Sequence, residues 1–344
     1  MSKLIATPKS MRNVILRGIR TTLLELGSAT KVELCEKLGI SFPTISKFLT
    51  QMEKDGELLL VGLDDSSGGR RAKRYTYNPE HMLGLAIFLE KSETNYIIFN
   101  CLGEVKEQER TESVLVSDDL GLLTKCIEGV LEKYPKISSI AIGVPGSVNH
   151  GRIFYIPGYE QFHHFDLKGY LEGLFSIPVV VENDMNAAVL GYHNNHRKND
   201  NPSLVYLYSG QNGPGAGMII NGNVVRGSTS FSGEISFVPQ YDHSNFHQAF
   251  LKNSGKKGTM IKEDREIDAI SRLVATFVSI INPHTIIFSK DEVDLSIIER
   301  IVSTSSTYVP SEHLPEFTMS DWKQDYLNGL LSLGQELMVS RSNR

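Results

Sequence analysis

From residue 83 onward the chain runs twice through one order of elements. LGLAIFLE, TNYIIFN and the stretch through Val105 predict a three-strand meander, followed by a helix over 117–133 and the strand ISSIAIGV. PVVVE at 178–182 gives a further strand, and a helix begins near Asp184. The second round opens at SLVYLYS, passes through GAGMIINGNVV, and continues with a helix near 266–281 and the strand HTIIFS. Two such rounds predict two related α/β lobes, 81–200 and 201–344, with a cleft between them. No short-period repeat or low-complexity tract interrupts the pattern.

The first eighty residues read differently. Ile15, Ile19, Thr22, Leu23 and Leu26 fall at helical spacing over 11–26, and SATKVELCEKL predicts a short helix capped by Ser28 or Thr30 and presenting Val32, Cys35 and Leu38 inward. Gly39 breaks it, and Ser41 caps a third helix that tolerates Pro43 in its first turn. Ile45, Phe48, Leu49 and Met52 form the buried stripe of that helix, which leaves Pro43, Thr44, Ser46, Lys47 and Gln51 outside. A helix, a glycine turn and a helix with small polar and basic residues on its outer face make a helix-turn-helix pattern, slim enough to enter a major groove. ELLLVGL then reads as a strand, and DDSSGGRRAKRYTYNP as a turn and returning strand. Arg70, Arg71, Lys73 and Arg74 cluster at this wing, where they would touch phosphates or the minor groove. The expected DNA-contacting set is therefore Ser41, Pro43, Thr44, Ser46, Lys47, Arg70, Arg71 and Lys73. A winged helix that makes protein contacts, with its basic cluster merely solvated, is the alternative.

Charge is distributed in keeping with this division. Residues 1–80 carry 13 lysines and arginines against 9 acids, and the remainder 22 against 31, so only the head suits a polyanion. At 40% hydrophobic and 22% charged residues the chain has material for real cores and is not of the disordered class. No apolar run is long enough to span a bilayer, and MSKLIATPKS lacks the apolar stretch of a secretory signal. Cys35, Cys101 and Cys126 are far apart with no CxxC pair, which fits core positions in a reducing compartment. A cytoplasmic protein is expected.

The wing ending in GGRRAKRYTYNP, followed in order by AIGVPGSV, VENDMNAA and GAGMIINGNVVRGSTSFSGEI, resembles the ROK family of repressors and sugar kinases along nearly the whole chain. The resemblance implies a winged helix-turn-helix over 1–80, followed by a two-lobe actin-like, ribonuclease-H-like ATPase fold. In the family's kinases ATP lies between the lobes beside a sugar. This sequence departs from the kinase pattern in three places. IFLEKSET stands where a DxGxT phosphate motif is expected, and QNGPGAG puts Gln211 and Asn212 at the leading glycine and threonine of GTGxGxG. Ser289 and Lys290 stand where an adenosine-side glycine pair is expected. A glycine-rich stretch alone is equally explained by tight packing. The family's zinc loop is missing as well: Phe237 stands at its histidine position, no cysteine follows Cys126, and HSNFH at 243–247 reads as a solvated loop. No cofactor and no metal are expected.

The sugar side is better kept. The resemblance places Gly146 and Ser147 at a turn lining the sugar pocket, Asn183 and Asp184 on sugar hydroxyls, Asp184 in the kinases' general-base position, and Glu234 reaching in from the other lobe. Carboxylates and carboxamides suit paired hydroxyls. Asp184 is also a good helix cap without any ligand, Glu234 can be a surface loop residue, and Phe237 suggests a more apolar pocket floor. The expectation is a homodimeric, DNA-binding, non-enzymatic regulator of carbohydrate metabolism, probing duplex DNA with its head and a small sugar-like effector with its body. A ligand-blind scaffold controlled by a protein partner, and a sugar kinase with an accessory head, are the rival readings.

Overall fold

The computed structural model describes residues 8–63, 72–116, 120–156, 159, 162–196, 201–210, 213–241, 243–251 and 260–340. The head holds α1 (Pro8–Leu26), β1 (Ala29–Thr30), α2 (Lys31–Leu38), α3 (Phe42–Lys54), β2 (Leu58–Leu63) and β3 (Lys73–Tyr77), with the strands antiparallel in the order β1-β3-β2. Thr30 caps α2 in a reciprocal box: its hydroxyl accepts from the Glu33 amide at 3.3 Å, and its own amide donates to the Glu33 carboxylate at 2.7 Å. The face that α2 buries is centred on Leu34, while Val32 is half exposed. The expected stripe was thus rotated, because a helix this short is oriented by its cap and by the core it meets. In α3, Ile45, Leu49 and Met52 are buried as expected, with Phe48 at the edge of the core.

The body opens with the antiparallel meander β4 (Leu83–Leu89), β5 (Glu93–Asn100) and β6 (Val105–Glu112). Then come α4 (Leu120–Lys133), β7 (Ile137–Val144), the hairpin β8 (Ser147–Asn149) and β9 (Arg152–Tyr155), α5 (Leu167–Phe175), β10 (Val179–Asn183) and α6 (Asp184–Asn195). The second round is β11 (Leu204–Tyr208), β12 (Gly215–Ile220), β13 (Asn223–Val224), α7 (Phe246–Leu251), α8 (Asp264–Ile280), β14 (Thr285–Ser289), α9 (Leu295–Ser305), β15 (Glu316–Ser320) and α10 (Trp322–Ser340). The two sheets have corresponding orders, β10-β7-β4-β5-β6 and β15-β14-β11-β12-β13, each an antiparallel meander continued by parallel strands. The doubled order in the sequence is therefore a doubled mixed sheet. Among the described residues no helix is long and apolar enough to cross a membrane.

The final helix of each round crosses to the other sheet. α6 packs on β11 and β12, α10 packs on β4 and β7, and the two helices lie against each other. A division at residue 200 assigns α10 to the second lobe, although it covers the sheet of the first. One buried cluster continues from Ile19, Leu34, Ile45 and Tyr77 of the head through Met82 to Ala187, Tyr326 and Met338 of the helix pair. The head is tied to that pair by the Arg20 guanidinium, which is fully buried, meets the Glu57 carboxylate at 2.5 Å and donates to the Val339 carbonyl at 3.3 Å. Tyr77 donates to the same carboxylate at 3.0 Å.

Candidate functional site

Two surfaces gather the residues singled out by sequence. On the head, Ser41 stands in the cap position of α3 but its hydroxyl pairs with that of Thr44 at 2.9 Å instead of capping a backbone amide. Ser41, Pro43 and Lys47 are exposed and Thr44 and Ser46 partly so, which leaves one polar face of α3 open. Ser46 accepts from Lys31 of α2 at 2.9 Å, a neighbour that reading each helix alone did not bring to this face. Lys73 lies 3.5 Å from Glu53 and is half exposed. Arg74, counted with the wing cluster from sequence, instead turns back to Glu33 at 2.8 Å and to the Ser28 carbonyl at 3.2 Å. Arg70 and Arg71 lie outside the described residues.

The second surface is the cleft between the sheets, about 940 Å³ including space open to solvent. Gly146, Asn183, Asp184 and Glu234 line it, and Ser147 adjoins it through its hydroxyl, which donates to Glu234 at 3.0 Å across the cleft. The Asn183 carboxamide donates to the Gly146 carbonyl and to Asp184, both at 3.0 Å, and its oxygen accepts from the Asn186 amide at 2.9 Å. Asn183 is therefore the cap of α6. Asp184 is its first helical residue, accepting from the Met185 amide at 2.8 Å, which corrects the expectation that Asp184 caps the helix. Its carboxylate sits at the positive end of a helix, oriented into the cleft by backbone geometry.

The cleft is electrostatically unusual. Burial, with added repulsion from Glu234 and Glu90, pushes the Asp184 carboxyl up to about 7 against the opposing Met185 amide. Burial also raises Glu234, opposed by Ser147, and Glu90, opposed by Lys323. Glu234 is thus a partly buried cleft residue and not a surface loop residue.

Several lining residues escaped sequence reasoning. In sequence, Glu90 belongs only to the IFLEKSET segment that lacks the DxGxT pattern. Trp322, the chain's single tryptophan, and Tyr326 come from α10, more than a hundred residues away from Asp184. Trp322 stacks on Tyr208 at 4.3 Å between centroids and lies 5.3 Å from Tyr326. A lone tryptophan at the start of a helix was the available signal.

A second bond crosses between the sheets beside the cleft. Glu182 at the end of β10 is buried, accepts from the Asn183 amide and the Asn186 carboxamide, and pairs with Arg226 after β13. Phe237, expected on the pocket floor, is half exposed and packs on Phe231 at 5.3 Å, away from the cleft lining. The backbone turns outward over Ile235–Phe237, burying Ile235 and presenting Phe237 to solvent.

The segments that the resemblance assigns to phosphate converge on the same cleft. Leu89 and Glu90 line it opposite Gly213, Pro214 and Gly215. The Ser209 amide, just before the glycine-rich stretch, is held by both oxygens of Glu292 at 3.0 Å. Burial raises the Glu292 carboxyl to about 8. Lys290 is paired with Asp321 at 2.7 Å, and Ser289 is buried. Gly217 has a packing reason of its own, since a Cβ there would stand 2.0 Å from the Met185 carbonyl oxygen.

Residues 90–246 match the ROK family. The xylose repressor of Caldicellulosiruptor bescii is 28% identical over 223 residues, covering 62% of this chain and 55% of that protein. The DNA-binding transcriptional dual regulator NagC of Escherichia coli (strain K12) is 23% identical over 222 residues, covering 62% and 54%. The matched stretch thus spans a little over half the length of these relatives. In three dimensions the chain is similar to the crystal structure of a ROK family transcriptional regulator, a homologue of the E. coli MLC protein, with a TM-score of 0.73 at 17% identity, covering 96% of this chain and 97% of that one. That likeness carries the fold through head and body alike: residues 90–246 match the ROK family, and the chain as a whole has the fold of a ROK family transcriptional regulator, with a sugar-kinase-like α/β body.

Proposed function

We propose that this chain is a DNA-binding transcriptional regulator whose interlobe cleft binds a polyhydroxylated effector and performs no phosphoryl transfer. The observation that carries the reading is the open polar face of α3, Ser41, Pro43, Thr44, Ser46 and Lys47, held above a capped α2 on a head that shares its core with the body. In this reading residues 8–77 are a winged helix-turn-helix, α3 enters the major groove, and Arg70, Arg71 and Lys73 follow the backbone. The names of the relatives, a xylose repressor and a DNA-binding transcriptional dual regulator, support the same assignment.

Effector binding rests on Gly146, Ser147, Asn183, Asp184 and Glu234 converging on one cleft, where acceptor-rich side chains suit hydroxyl donors. Phosphoryl transfer needs donors and cations around the phosphates. Here Glu90 occupies the first phosphate segment, Glu292 holds the Ser209 amide, and Lys290 is paired with Asp321. A ligand that replaces the Ser147–Glu234 bond changes what holds the two sheets together, and α10 lies on one of them while contacting α1. Effector occupancy is thereby coupled to head position.

Genomic pull-down and footprinting at low salt test the reading. The expected result is a protected inverted repeat bound by a homodimer, with equivalent groove contacts one or more turns of about 34–36 Å apart. Absence of any protected site overturns it. Saturable ATP turnover on a hexose overturns the non-enzymatic half.

A further inference from the structure

The cleft gathers more carboxyl groups than hydroxyl recognition requires. Glu90, Asp184 and Glu234 all line it, and the lysine among its lining residues, Lys323, is exposed to solvent. Asp184 and Glu234 already accept hydrogen bonds from the protein. Among the described residues, the Glu90 carboxylate accepts none: the bonds at this residue are made by its backbone, to Glu93 and from Ser113. The charged groups around Glu90 are Glu93 and Arg110 on the meander, Lys323 on α10 and Asp184 at the start of α6.

A second, independent feature marks the same cleft as built for a ligand. Asn186, Trp322 and Tyr326 line it at 6%, 4% and 1% exposure, and the Asn186 Oδ1, the Trp322 indole N–H and the Tyr326 hydroxyl are all buried without a partner. Native interiors rarely leave such atoms unmet, and a bound group that meets them recovers the loss. Among the described residues no three acidic, histidine or cysteine side chains form a group that could hold a metal ion.

We propose that the ligand of this cleft is an amino sugar, its ammonium held by Glu90 and its hydroxyls by Asp184 and Glu234. The inference rests on the polyhydroxylated-effector reading above and narrows it. An ammonium brings three donors and one positive charge to an acceptor-only group. A neutral sugar brings no positive charge to Glu90, whose nearby cations are Lys323, exposed to solvent, and Arg110. A sugar phosphate meets three carboxylates, while Arg226 is engaged by Glu182. Tyr208 and Trp322 supply an aromatic wall against which a ring carrying positive charge packs favourably.

Calorimetry on the full chain at neutral pH tests this with matched pairs: glucosamine, galactosamine and mannosamine, each beside its hydroxyl parent and its N-acetyl derivative, with xylose as a further neutral sugar. At least one amino sugar is expected to bind tenfold or more tightly than both counterparts, and E90Q is expected to bring it down to its parent. The wild-type comparison stands by itself if E90Q folds poorly. Equal or tighter binding of the neutral parent or the N-acetyl form overturns the inference and leaves the polyhydroxylated-effector reading intact. No binding by any sugar in the panel overturns both.

Discussion

Gly191 on α6 lies directly against Gly329 on α10: a Cβ on Gly191 would stand 2.6 Å from the Gly329 amide nitrogen and 1.9 Å from the Asp325 carbonyl oxygen. The relation is reciprocal, since a Cβ on Gly329 would stand 1.9 Å from the Ala187 carbonyl oxygen. The neighbouring atoms are backbone and cannot swing aside. This contact seats the crossed helices on which both sheets rest.

Gly191→Ala is therefore expected to destabilise the chain although alanine is the better helix former. Overpacking of this kind costs about 1–3 kcal/mol, which outweighs a propensity gain of about 1 kcal/mol. Chemical denaturation of the full chain reads the difference; a variant as stable as wild type rules out the tight crossing.

The Arg20–Glu57 pair makes a second prediction. Both side chains are essentially inaccessible, and Glu57 also accepts from Tyr77. Removing one partner of a buried pair strands the other charge, at a cost of about 3–5 kcal/mol. Arg20→Met is expected to show a loss of that order, and Glu57→Gln in the same background to recover much of it. The double-mutant cycle checks the coupling, and additive effects count against it.

Asp184 gives a pH dependence with a definite sign. Burial and its acidic neighbours disfavour the charge and push its folded carboxyl up to about 7, well above the ordinary 3.8. Between roughly these two values the folded state binds more protons than the unfolded state, so this group's contribution to stability falls as pH rises and stays lost above it. Asp184→Asn removes the titration. Its melting temperature relative to wild type is expected to rise from pH 4 to about pH 7 and then level off. A difference independent of pH across that window contradicts the assignment.

On the head, Thr44→Ala with Lys47→Ala is expected to erode discrimination between operator and unrelated duplex by about 1–3 kcal/mol per lost base contact. Arg70→Ala with Arg71→Ala is expected to weaken binding to all sequences and flatten its salt dependence. Fluorescence anisotropy across a salt series separates the two patterns, and equal loss on specific and random DNA from the α3 variant would place that helix outside the groove.

The order of elements was legible because alternation and helical spacing are local properties. They placed the meander, the strands ISSIAIGV and HTIIFS, and the buried Ile45, Leu49 and Met52 of α3 without knowledge of any partner. Resemblance brought Gly146, Ser147, Asn183, Asp184 and Glu234 onto one list, and these residues do meet at one cleft. What local pattern could not supply was anything set by a neighbour distant in sequence. Val32 and Leu34 both suit a short amphipathic helix, and the core decided that Leu34 goes inside. Arg74 reads as a wing cation until Glu33 is brought beside it, and Phe237 reads as a pocket residue until the chain turns it outward. α10 ends the second round in sequence yet covers the first sheet, carrying Trp322 and Tyr326 to Glu90 and Asp184. A residue's type fixes what it can bond. Which partner it meets, and how much water remains around it, is set by packing between segments far apart along the chain.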